Sequence, residues 1–206
     1  MTNLNKTTYA VSKTGTQLVV VTPYNPSFIA AAKAQLGGRW NGAAWIFDIR
    51  DETEVMAMLK KYYDWKPGMA LVSVKVYVEA EQRYSRSPFV MLGRALVSAW
   101  GRDGGARLGL GVRLHAGAVT SGGSVKYWET VIRAGTELVV HDVPEGMARS
   151  YVDGTRSKEQ IRVELFRTIP VLDVVALTSE SEGLILRIAE IKIILEAALE
   201  QNSAEV

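Results

Sequence analysis

Hydrophobic and polar positions divide the chain into three regions with different periods. In the first, Thr16 to Val21 is β-branched and apolar and predicts a strand. Phe28, Ile29, Ala32 and Leu36 then recur at helical spacing. Asn25 is placed to cap that helix, Pro26 fits its first position, and Gly37-Gly38 supplies a left-handed exit. Asn41-Gly42, between Arg39-Trp40 and Trp45-Ile46-Phe47-Asp48, predicts a β-hairpin closed by a type I′ turn. Val55, Met58, Leu59 and Tyr62 form the stripe of a second helix, with Asp51 and Glu54 as its capping pair. The expected unit over residues 1–66 is a small strand-helix-hairpin-helix module, closed by the turn-like Trp65-Lys66-Pro67-Gly68.

From Ala70 the period shortens to two. Val72, Val74, Val76 and Val78 alternate with Ser73, Lys75 and Tyr77. Further strands are expected at Phe89 to Trp100, Val112 to His115, Val125 to Ile132 and Thr136 to His141, separated by glycine-rich breaks. Such spacing predicts a small β-barrel or sandwich over residues 70–177. Ile161 to Phe166 and Val171 to Leu177 fit helix or strand equally. Leu184, Ile188, Ile191, Leu195, Ala198 and Leu199 predict a C-terminal helix over 178–201, which either packs on its own β domain or forms a homodimer. The predicted class is therefore α+β: the N-terminal module, the β domain, then the C-terminal helix.

Composition changes this picture mainly by exclusion. The 206 residues include no cysteine, which removes disulfides, thiolate metal sites and cysteine nucleophiles together. Met1 to Lys6 is polar with no signal-like apolar core behind it, and no apolar run is long enough to span a membrane. A cytoplasmic protein with no membrane partner is expected. Net charge is only +2, but its distribution is uneven. Arg83 to Arg133 carries eight basic residues against Asp103 and Glu129, whereas Glu180 to Val206 carries six acidic residues against Arg187 and Lys192. A basic middle and an acidic tail are expected.

Candidate chemistry is sparse. His115 and His141 are expected at strand ends, without zinc-site spacing, and adjacent His141-Asp142 should point to opposite faces of a strand. Gly109 to Gly111 lacks both the phosphate-loop and the dinucleotide pattern. Ser121-Gly122-Gly123-Ser124, followed by Lys126, reads either as a backbone cradle for phosphate or as a plain hairpin loop. Asp48, Asp51, Glu52 and Glu54 lie close together, but capping accounts for two of them. The expectation is a protein that is not an enzyme and uses no cofactor or metal.

Cations and aromatics converge in the N-terminal module. Lys33, Arg39, Lys60 and Lys61 are available for phosphates, and Tyr24, Trp40, Trp45 and Tyr63 offer flat faces to unpaired bases. On an alternating hairpin Trp45 and Phe47 share one face and are expected in the core. Arg102 and Lys126 add cations from the glycine-rich loops.

The segments Thr22-Pro23-Tyr24-Asn25-Pro26-Ser27-Phe28, Ala32-Lys33-Ala34, Gly37-Gly38-Arg39-Trp40 and Trp45-Ile46-Phe47-Asp48 resemble the HARP-type module of annealing helicases. They are still more similar to short HARP-like units of plasmid and phage proteins. The resemblance covers Thr16 to Tyr63 and implies DNA binding, with Lys33, Arg39 and Trp40 as its contacts. The chain has no helicase motor, so the resemblance implies binding without fork remodelling. Leu92-Gly93-Arg94-Ala95, Gly101 to Ala106 and Ser121 to Ser124 resemble a glycine-rich β segment of mobile-element proteins, and Leu186 to Ile191 resembles their C-terminal helix.

Two functions follow as expectations. The first is a non-enzymatic accessory protein of a bacterial mobile element that binds single-stranded or branched DNA. The second is an inhibitor aimed at a host-defence protein or at a competing plasmid's conjugation protein, of fertility-inhibition or anti-CRISPR type.

Overall fold

The structure, a computed structural model, describes residues 8–156 and 158–166. It is of the α+β class, with antiparallel strands in four small sheets and three α-helices among the described residues. The expected C-terminal helix and the segment Val171 to Leu177 lie outside those residues.

The N-terminal part begins with a hairpin of β1 (Ala10–Thr14) and β2 (Gln17–Val21). Only its second strand is evident from the hydrophobic pattern, because β1 carries the polar Ser12, Lys13 and Thr14 on an exposed edge. Helix α1 (Pro26–Leu36) starts as expected: Asn25 Oδ1 accepts from the N–H groups of Ser27 and Phe28. Gly37, at φ 57°, ends it. Then come β3 (Arg39–Trp40), β4 (Trp45–Asp48), a 3₁₀ turn (Ile49–Asp51) and α2 (Glu52–Tyr63). The four strands order as β1-β2-β4-β3.

Two local expectations are corrected. Trp40 pairs with Trp45, so the β3–β4 loop has four residues rather than a two-residue type I′ turn. Asn41 shapes it by accepting from the N–H groups of Ala43 and Ala44 at 3.0 and 2.8 Å, which offers the backbone a side-chain alternative to the tighter turn. The Asp51–Glu54 capping box does not form either; Asp48 caps the preceding 3₁₀ turn by accepting from Arg50 N–H.

The core of this part joins Tyr9, Leu18, Val20, Phe28, Trp45, Phe47, Val55, Leu59, Tyr63 and Trp65. Trp45 and Phe47 are 5% and 3% exposed, which bears out their place in the core.

A second apolar cluster starts at β5 (Leu71–Val78), whose Val74, Val76 and Val78 are buried as the alternation predicts. Beyond it lie β6 (Gln82–Ser85), β7 (Phe89–Met91), β8 (Arg94–Ala99), β9 (Ala106–Leu108), β10 (Val112–Ala116), β11 (Val119–Gly123), β12 (Trp128–Ile132), β13 (Thr136–Pro144), α3 (Glu145–Val152) and β14 (Ile161–Phe166). They form the sheets β10-β13-β5-β14, β11-β12-β6 and β7-β8-β9. None of these sheets closes on itself, so of the expected barrel or sandwich the closed barrel does not form. Ile161 to Phe166 is a strand, on the free edge of β5.

The stretch Phe89 to Trp100 is not one strand but a hairpin. Leu92 and Gly93, at φ 55° and 72°, make the two-residue turn with positive φ at both positions that Asn41-Gly42 was expected to make. A non-glycine residue in the left-handed region is strained, and here Leu92 is fully buried in the β cluster, which offsets that strain. A Cβ on Gly93 would stand 2.9 Å from the Tyr62 carbonyl oxygen, so only glycine permits the turn to seat against α2.

This turn joins the two apolar clusters. Asn25 Nδ2 donates to the Gly93 carbonyl at 2.9 Å, and Ala95 N–H donates to the Tyr24 carbonyl at 2.8 Å. Beside them Arg94 is wholly buried. Its guanidinium donates to the carbonyls of His141 (3.1 Å) and Asp142 and to the Tyr9 hydroxyl (3.2 Å). Those carbonyls are turned toward it by a bulge in β13, where Asp142 has φ 54°. Asp142 itself accepts from Thr8 Oγ1 at 2.6 Å. One arginine thus ties β8, the start of the described chain and β13 together.

His141 is half-buried within β13 rather than at a strand end, with its Nδ1 2.9 Å from Ser73 Oγ. Desolvation, reinforced by Arg113, pushes its pKa below 6.5. The fold therefore favours the neutral ring, while the unfolded chain takes up the proton more readily. Stability from this group is complete above about pH 6.5 and is lost as pH falls through the lower folded value. Melting temperatures of the protein should decline from pH 7 to pH 5, and His141→Gln should flatten that decline; an unchanged slope would count against it.

Candidate nucleic-acid interface

The β2–α1 loop, the outward face of α1 and the β3–β4 hairpin enclose a cavity of 360 Å³. Its lining includes Pro23, Tyr24, Ile29, Lys33, Trp40 and Trp45. Three of the residues expected to bind, Tyr24, Lys33 and Trp40, therefore share one site. Each is placed by a local cause. Tyr24 precedes the Asn25 cap and is fixed through its carbonyl by β8. Lys33 stands on the exposed face of α1, one position beyond the buried pair Ala31 and Ala32. Trp40 faces its cross-strand partner Trp45, with ring centroids 5.6 Å apart.

The site has an apolar floor and an aromatic rim. Trp45 packs edge-on against Phe28 at 6.0 Å and is held in the core, whereas Trp40 and Tyr24 are 50% and 44% exposed. Lys33 makes no ion pair among the described residues, so its ammonium is available at the cavity. Flat faces beside an unpaired cation suit a base and its phosphate.

The other expected residues go elsewhere. Arg39 neighbours Trp40 on a strand and so points to the opposite face. There it lines a second cleft with Asp48, Arg50 and Asp51. Hydrogen bonds from Arg50 hold the pKa of Asp48 at about 2, so that cleft contains an ionised carboxylate with its own arginine partner. Lys60 is paired with Asp64, and Lys61 lies over the Tyr62 ring at 5.3 Å on the face shared with Glu54. Tyr63 offers no free face: it is fully buried, burial pushes its hydroxyl pKa up, and that hydroxyl donates to the Pro23 carbonyl at 2.9 Å.

In the β part, Arg102 is paired with Asp103 at 2.7 Å and does not reach the cavity. Ser121 to Gly123 belong to β11 rather than to a phosphate-binding loop, and Ser121 Oγ accepts from Gly105 N–H and donates to the Arg102 carbonyl. Lys126 lies over Tyr127 at the β11–β12 turn. In the middle region Arg83 and Arg133 pair with Glu81, Arg83 also reaches Glu129, and Arg94 is buried, whereas Arg86, Arg107, Arg113 and Lys126 are exposed and make no ion pair among the described residues.

Other chemistry remains thin among the described residues. The Ser73–His141 contact pairs a hydroxyl with an imidazole, but the neighbouring Asp142 carboxylate is engaged by Thr8 and makes no hydrogen bond to the ring. Glu52 is paired with Lys13 at 2.7 Å and Asp48 with Arg50 at 2.8 Å, which divides the acidic group near α2. Among the described residues no group of three potential metal ligands occurs, and no helix is long and apolar enough to cross a membrane.

One aromatic residue of this surface escapes sequence reasoning. Trp100, immediately after β8, is 68% exposed, and its ring centroid lies 6.3 Å from that of Tyr24. Its only sequence signal is a tryptophan immediately before a glycine-rich turn, with nothing to connect it to Tyr24. No family model matches this chain, and no curated protein or solved structure matches it either.

Proposed function

We propose that this protein is a non-enzymatic, cytoplasmic DNA-binding accessory protein of a bacterial mobile element, acting on single-stranded or branched DNA. The observation that carries the reading is the convergence of Tyr24, Lys33 and Trp40 on one apolar cavity. An exposed indole and phenol with an adjacent unpaired ammonium favour an unpaired base over a paired one, because only an unstacked base presents its face. The similarity of Thr16 to Tyr63 to HARP-type modules supports the same ligand class.

The geometry separates two cations that the sequence treats alike. Lys33→Ala should weaken binding of a single-stranded oligonucleotide several-fold and reduce the salt slope by about one phosphate contact, roughly 0.7 on a log–log plot. Arg39→Ala should do markedly less, because Arg39 lies on the opposite strand face, in the cleft with Asp48, Arg50 and Asp51 and not among the residues lining the cavity. Fluorescence anisotropy at a series of salt concentrations tests this; equal losses for the two variants would contradict the placement of the strand at the cavity.

A second reading, an inhibitor directed at a host-defence or conjugation protein, is favoured by one different observation. Leu108, Leu110 and Leu114, in and between β9 and β10, are 37–41% exposed beside Arg107 and Arg113. Exposed leucines among arginines suit a protein partner better than a DNA backbone. Co-purification of one stoichiometric protein without nucleic acid would select this reading.

A further inference from the structure

Tyr24 is shared by aromatic residues from distant parts of the chain. It lines the cavity together with Trp40 and Trp45. Trp100, whose exposed ring is tilted 57° to that of Tyr24, lies against it from the loop after β8. The exposed aromatics of the N-terminal hairpin and of that loop therefore have Tyr24 in common. The β2–α1 loop and β8 are held together by the hydrogen bond from Ala95 N–H to the Tyr24 carbonyl and by that from Asn25 to Gly93. Trp100 itself is 68% exposed, and among the described residues its one aromatic contact is Tyr24.

We infer that Trp100 is a nucleic-acid-binding residue, and that the surface accepts two successive unpaired bases of a DNA single strand. This rests on the reading of the cavity as a DNA site and extends it. At 360 Å³ the cavity is at the small end of ligand sites and takes one base, not a folded oligonucleotide. The first base enters it against Trp40 and Tyr24, with its phosphate toward Lys33. The next base along the strand stacks on Trp100. A duplex cannot satisfy this arrangement, since its bases are already stacked on one another.

The test uses the full-length protein and a fluorescein-labelled decathymidylate, with a duplex of the same length for comparison. Trp100→Ala should bind the single strand about tenfold more weakly, the effect of one lost stacked base. Trp100→Phe should recover most of that loss, and duplex affinity should not change with either variant. Melting temperatures within a degree or two of the parent protein would show that the fold is intact. Unchanged single-strand affinity in Trp100→Ala overturns the inference while leaving the cavity reading in place. An equal loss toward duplex and single strand overturns it as well. Failure of the parent protein to bind the single strand at all overturns both.

Discussion

Arg94→Ala should be the most destabilising single substitution at the junction of the two apolar clusters, costing on the order of 2–4 kcal/mol from orphaned acceptors and a cavity. The guanidinium is fully buried, and it is met by the His141 and Asp142 carbonyls and the Tyr9 hydroxyl rather than by a carboxylate. Removing it orphans acceptors that the bulged β13 cannot satisfy from a neighbouring strand, and it leaves a void of side-chain size beside the Tyr9 ring. Arg94→Met refills the volume but restores no donor, so it should recover only part of the loss. The midpoint of urea denaturation measures this directly. Arg83→Ala, which removes an exposed ion-paired arginine, should leave that midpoint nearly unchanged. A near-parental midpoint for Arg94→Ala would mean that the buried arginine is not a structural tie.

Trp40→Ala carries the second large expectation, this time in binding. Its indole is half exposed at the mouth of the cavity, while the partner ring of Trp45 is held in the core by Phe28. Truncation therefore removes a stacking face and leaves the floor intact. Single-strand affinity should drop by about 5- to 100-fold, the range that one base–aromatic stack spans. Trp45→Ala is not an equivalent probe, because it also empties a core position and will lower stability. Trp40→Phe keeps a flat face and should retain a good part of the affinity. The contrast between Ala and Phe at one exposed position separates stacking from a general loss of fold.

The local elements of the N-terminal part were legible in the sequence because each is fixed within a few residues. Asn25, Pro26 and Gly37 delimit α1 by chemistry that acts at the ends of a single helix. The grouping of Lys33 with Trp40 follows from one helix and the hairpin after it. What failed there was finer: an asparagine side chain competed for the backbone of the β3–β4 loop, and the alternation of strand faces sent Arg39 away from Trp40.

In the β part the pattern marked the buried strands β5 and β13 but not Gln82–Ser85, Ala106–Leu108 or Val119–Gly123. Those three are short and polar or glycine-bearing, and they become strands only through partners far along the chain, as β6 does with β12. Trp100 was invisible as a site residue for the same reason. Its meeting with Tyr24 depends on how the β7–β8 hairpin seats against α1 and α2, through a turn whose left-handed Leu92 no propensity would predict. Arg94 counted as surface charge until the bulge in β13 supplied it with carbonyls.

An unpaired base seated in the cavity between Tyr24, Lys33 and Trp40 has a simple signature in anisotropy titrations of decathymidylate with the parent protein and with Trp40→Ala, at low salt and again at high salt. The parent protein should bind saturably and more weakly as salt rises, and the variant should lose about 5-fold or more at both salt concentrations. Equal affinities for the two proteins, or no binding by the parent at low salt, would contradict a base seated there.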